Sequence, residues 1–63
     1  MTATKDNQVF KVEQGASRYA GRDVVELRLV SDAGIVVHRA QGLSREACLR
    51  GLSDWGYTVE GEL

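Results

Sequence analysis

His38 and Cys48 are the only histidine and the only cysteine of this 63-residue chain, and they are the natural pair to test for covalent catalysis. Nucleophilic chemistry needs a base within hydrogen-bond reach of the nucleophile. His38 stands in a segment that alternates like a strand, whereas Cys48 falls on the apolar stripe of a segment that reads as a helix. The expectation is therefore a solvent-facing histidine and a buried structural thiol. One cysteine cannot form an internal disulfide, and no Cys/His cluster has the spacing of a zinc site. The residues point to no catalytic group, metal or cofactor, and thus to a protein that is not an enzyme.

Two other constellations could bind rather than react. Arg18-Tyr19-Ala20-Gly21-Arg22 sets an aromatic between two guanidiniums, a combination that can hold phosphate and stack on a base. Two arginines without a wider basic field supply little affinity, so direct nucleic-acid binding is the lesser expectation. From Gly51 onward there is no basic residue, while Asp54, Glu60 and Glu62 are acidic. With Glu13 on a strand expected nearby, these carboxylates could form an acidic edge that meets a basic partner. Eight Lys/Arg against nine Asp/Glu leave a net charge of -1, which gives no general attraction to nucleic acid or an anionic membrane.

The elements that must position these groups are legible from periodicity and punctuation. A chain of this length forms one domain, 1–63, and buries only a small core. Residues 1–6 are polar and read as a frayed tail. Gln8 to Glu13 alternates Phe10 and Val12 against Lys11 and Glu13, the mark of a half-buried strand. Gln14 to Arg22, with Gly15 and Gly21, reads as a connection. Asp23 to Val30 is the clearest strand, with Val25, Leu27 and Leu29 on its core face.

Ser31-Asp32-Ala33-Gly34 suits a type I turn closed by a left-handed residue. With Gly34 as a bulge, Ile35 and Val37 turn inward and Arg28 pairs with His38 outside; a loop without it would shift the register and bring Val36 and His38 inward. Ser44 is a good N-cap, and Leu43 and Cys48 have the spacing of a hydrophobic staple. Cys48, Leu49, Leu52 and Trp55 form the apolar stripe of a helix over about 45–55, ended by Gly56. Tyr57 and Val59 then point inward from a last strand. Gly51 is a costly residue for a helix interior.

The fold expected is α+β: an antiparallel three-stranded meander, one amphipathic helix on one face and a closing fourth strand, in the order β-β-β-α-β. The spatial order expected is 3-2-1-4, with the last strand parallel to the first. One helix covers one face, so the other must meet solvent or a partner. That outer face is expected to show Val24, Val30, Val36 and Ala40 among Glu26, Arg28 and His38. Homodimerisation through it would enlarge a small core. No apolar run reaches membrane-spanning length and no signal-peptide core precedes the first strand, so the expectation is a cytoplasmic protein without membrane contact.

The element order matches the opening half of the ribonuclease H fold, whose magnesium chemistry requires converging carboxylates. Here the middle of the first strand offers Phe10, Lys11 and Val12, and Glu46 lies beside Arg50. In size, near-neutral charge and one-helix-on-a-sheet build, the chain resembles small phage-encoded inhibitors of the anti-CRISPR kind. The helix-Gly-Tyr-strand ending is also similar to that of small antitoxin domains. These resemblances imply a protein that binds a protein or ribonucleoprotein complex, and inhibits it by occupying a surface.

Overall fold

The computed structural model describes residues 1–61. Its elements are β1 (Thr2–Lys5), β2 (Gln8–Tyr19), β3 (Arg22–Val30), β4 (Val36–Gly42), α1 (Arg45–Asp54) and β5 (Thr58–Glu60). They form one antiparallel sheet in the order β4-β3-β2-β1-β5, with a single helix. The α+β class and the one-helix build agree with the sequence reading, but the sheet has five strands rather than four.

The additional strand is the segment expected to fray. Asp6 and Asn7 both adopt left-handed backbone, with φ of 53° and 63°, and make a two-residue hairpin turn. Asp and Asn tolerate that region better than other side chains, which is why this turn closes without glycine. β1 then slots between β2 and β5, with Ala3 opposite both Phe10 and Val59. Ala3 is fully buried. Its neighbours Thr2 and Thr4 face away from the core, so β1 carries almost no hydrophobic signal. The last strand runs in the direction of β2, as expected, but β1 separates the two.

β2 is twice as long as its apolar pattern. Residues 14–19 continue the strand and pair with β3 to Tyr19↔Arg22. Gln14, Ala16 and Arg18 lie on the helix side of the sheet yet are exposed. The helix packs on β3, β4 and β5, so this half of β2 has nothing to bury against and needs no alternation. Ala20 and Gly21, at φ 52° and 78°, close the second tight hairpin.

At the third hairpin, Gly34 N–H donates to Ser31 O at 2.9 Å and Ser31 N–H to Ile35 O at 2.9 Å. Gly34 has φ 79°, so the expected bulge forms. A second irregularity follows at once: Val30 lies opposite Val36 but Leu29 lies opposite His38. Val37 is squeezed out, and the face of every later residue flips. His38 and Ala40 therefore turn inward, against expectation, while Ile35 and Val37 remain exposed. The shift sets the small Ala40 opposite Leu27 in the core. Small residues there and at Gly42 let the strand approach the helix, since a Cβ on Gly42 would come within 2.9 Å of Ala47 Cβ.

The helix begins and ends as its sequence dictates. Ser44 Oγ accepts from Ala47 N–H at 3.2 Å. At the other end Tyr57 N–H donates to Leu52 O and Gly56 N–H to Ser53 O, both at 3.0 Å, around Gly56 at φ 93°. No basic residue occupies the last turn, but Lys5 of β1 donates its ammonium to Trp55 O at 2.7 Å. That places a cation at the negative end of the helix dipole. Cys48 and Leu52 bury against Leu27, Leu29, Val12 and Ala3. The stripe stops there: Trp55 is exposed, and Leu43 makes no staple because its side chain stays in solvent.

Two substitutions check this packing by urea denaturation. Ala3→Glu places a carboxylate in the core and is expected to cost about 3 kcal/mol or more, enough to unfold so small a domain, whereas Thr2→Lys is expected to be near neutral. Equal, small effects would mean that β1 is not part of the sheet. Nothing lies within 4 Å of a Cβ built on Gly51. Gly51→Ala is therefore expected to stabilise the fold by up to about 1 kcal/mol.

Candidate functional site

The face of the sheet away from α1 is organised around a carboxylate. Glu26 on β3 lies between Gly15 of β2 and Gln41 of β4. It is 4% exposed although no helix covers it. Its cover is local. The Arg28 guanidinium folds back along its own strand to ion-pair with Glu26. Gly15 makes that possible, since a Cβ there would sit 2.7 Å from Arg28 Nη2. Gln41 Nε2 donates to Glu26 Oε1 at 2.8 Å and to Ser17 Oγ at 3.4 Å. The Gln41 hydrogen bond, then the Arg28 contact, hold the Glu26 carboxyl below the usual carboxylate range despite burial, which acts the other way. Arg39 stands directly across from Arg28 and adds to the same effect.

Beyond this polar centre, toward the Ala20-Gly21 turn, the surface becomes apolar. Tyr19 and Leu43 are 68% and 71% exposed. With Val24, Ala20 and Gly42 they line a shallow cleft of 510 Å³, whose polar members are Arg22 and Gln41. Tyr19 and Arg22 are a cross-strand pair on the outer face. A wider groove of 840 Å³ lies at the opposite end of the sheet. Its lining mixes Asn7, Gln8, Lys11, Ser31 and Asp32 with Val9, Phe10, Ala33 and Val37.

Of the residues expected on the outer face, Val24, Glu26, Arg28, Val30 and Val36 are there by register. His38 and Ala40 are not, because of the bulge at Val37. His38 instead lies half-buried between Trp55 and Tyr57, each ring centroid 5.5 Å away. Lys5 Nζ sits 5.2 Å from the Tyr57 ring. The Arg18, Tyr19, Arg22 trio is divided by the strand it was taken to interrupt. Arg18 points to the helix side, where it pairs with Asp23 at 3.5 Å and donates to Gly21 O at 3.2 Å.

The acidic residues are likewise dispersed. Glu13 lies opposite Arg28 on β2. Glu60 is on β5 in the row of Thr2 and Lys11, with β1 between it and β2. Asp54 ends the helix, and Glu62 lies outside the described residues. Cys48 donates its S–H to Val25 O at 3.3 Å, and burial pushes its thiol pKa up. Among the described residues no group of three or more His, Cys, Asp or Glu could hold a metal ion, and no helix is long and apolar enough to cross a membrane. Sequence reasoning missed Leu43 and Gln41. The signal for Leu43 was present, as a large apolar residue just outside an N-cap, but the staple reading assigned it to the helix.

The pH dependence of stability tests the buried centre. Because folding lowers the Glu26 pKa, the ionised carboxylate stabilises the fold above the ordinary glutamate range, about pH 4.3, and that gain is lost as pH falls through the folded value. Glu26→Gln is expected to cost about 1–3 kcal/mol at pH 7 and to flatten the acid limb of the stability curve. An acid limb as steep as in the parent protein would show that Glu26 does not carry it.

No protein-family model matches the chain, and no curated protein or solved structure matches it either.

Proposed function

We propose that this is a non-catalytic binding protein that inhibits a larger protein or ribonucleoprotein complex by occupying one of its surfaces, in the manner of the anti-CRISPR-like inhibitors that its size and build resemble. The working surface is the hairpin end of the outer sheet face. The observation that carries this reading is the exposure of Tyr19 and Leu43 on a common cleft. Large apolar side chains gathered on one small surface are characteristic of interfaces, and aromatic anchors dominate binding energy. Val24, Gln41 and Gly42 of the lining are strand positions held by the sheet ladder, while Ala20 and Leu43 flank them outside the strands.

The acidic edge supports binding less well, because Glu13, Asp54 and Glu60 sit on separate elements. Nucleic-acid or antitoxin-type binding through the arginine trio also loses support, since Asp23 already pairs with Arg18. The cytoplasm remains the proposed compartment.

Co-elution of the purified protein with its partner complex from the native host is the test. Tyr19→Ala combined with Leu43→Ala, both at exposed positions, is expected to leave the fold intact and weaken binding tenfold or more, about 1.4 kcal/mol. Glu13→Lys with Glu60→Lys is expected to have less effect. Loss of binding by the charge reversals alone would move the working surface to the acidic edge.

A further inference from the structure

Building on the proposed binding role, we infer that the cleft receives an acidic protein segment, one that seats an apolar side chain between Tyr19, Val24 and Leu43 and presents carboxylates to Arg22 and Arg39. The charge inventory of this half of the outer face is the basis. From Glu13 to Tyr19 on β2, Arg22 to Arg28 on β3 and Arg39 to Leu43, three guanidiniums stand on this face against two carboxylates. Arg28 is committed to Glu26. Arg22 and Arg39 make no ion pair or side-chain hydrogen bond with any described residue.

This local excess of positive charge occurs in a chain whose net charge is -1, so it is a property of the face rather than of the composition. The placement of the two arginines also fits. Arg22 lines the cleft, and Arg39 is one strand repeat, about 7 Å, from Gln41 of its lining. A carboxylate on each side of an apolar anchor would meet one guanidinium each, in charge-assisted hydrogen bonds.

Two other occupants fit worse. A nucleic acid carries a charge on every nucleotide and gains affinity from many cations, whereas only Arg22 and Arg39 are outside ion pairs here, Arg39 already acts on Glu26, and Arg18 is turned to the opposite face. A second copy of this chain, docked cleft to cleft, would bring Arg22 and Arg39 against their own like charges.

The test is an NMR titration of the ¹⁵N-labelled full chain with three probes: an end-blocked peptide Asp-Leu-Asp-Phe-Asp-Glu, the same peptide with lysine at every acidic position, and a twelve-nucleotide oligothymidylate. The acidic peptide is expected to shift the amides of Tyr19, Val24, Gln41 and Leu43, and to bind several-fold more weakly when salt rises from about 50 to 200 mM. Arg22→Glu with Arg39→Glu is expected to abolish these shifts, and the milder Arg22→Gln with Arg39→Gln to reduce them while spectral dispersion shows an intact fold. Equal shifts with the lysine peptide would overturn the charge preference yet leave the cleft as a binding surface. Shifts confined to α1 and β5 would overturn both this inference and the binding role of the cleft. Tighter binding of the oligonucleotide at the same amides, or no shift from the acidic peptide at millimolar concentration, would also overturn the inference.

Discussion

A single ten-residue helix, about 15 Å long, must close the core of a five-stranded sheet, and most of the architecture is a response to that constraint. The helix inserts Cys48 and Leu52 over Leu27 and Leu29 and reaches β3, β4 and β5. Where it cannot reach, the sheet must be stable without burial. The far half of β2 solves this with polar and small side chains on both faces. The near edge is tied down from outside the core, by the Lys5 ammonium on the helix C-terminus and by the ring contacts of Tyr57 with Phe10 and His38. The core is small, and backbone pairing carries much of its organisation.

The same constraint explains the outer face. With no second layer, Glu26 would be a solvated strand residue. Instead Gly15 opens a space into which Arg28 folds, and Gln41 closes the other side. A hydrogen-bonded ion pair of this kind is costly to break by removing one partner, because a charge is left poorly solvated. It fixes three neighbouring strands in register. It also takes up the Arg28 guanidinium in an ion pair, while Arg39 acts on Glu26 only through its charge and Arg22 makes no ion pair with a described residue, at the margin of the cleft below Tyr19 and Leu43. The polar centre and the apolar cleft adjoin at Gln41, which belongs to both.

Much of this was readable from residue types alone, and the failures have definite causes. Helix limits were legible because Ser44 and Gly56 act locally, through their own side chain or backbone freedom. The alternation in β3 was legible because Leu27 and Leu29 bury fully. β1 escaped notice because its single core residue is an alanine flanked by threonines, and because Asp6-Asn7 is a weaker hairpin signal than a pair containing glycine. The inward turn of His38 was illegible: Gly34 announces one bulge, but nothing in Val36-Val37 announces the second. One extra residue then reversed the faces of His38 and Ala40. At the candidate site, reading 14–22 as a loop kept Arg18, Tyr19 and Arg22 together, whereas strand alternation sends Arg18 to the opposite side. Gly15, taken as a breaker, is instead the seat of the Arg28 side chain.

The central claim is one of location: binding uses the hairpin end of the outer sheet face, and the helix layer only supports it. Hydrogen–deuterium exchange of the protein alone and within its native complex tests this most directly. The account predicts added protection in the amides of residues 17–24 and 39–43, with α1 and β5 unchanged. Protection gained in α1 and β5, with 17–24 exchanging as in the free protein, would contradict it.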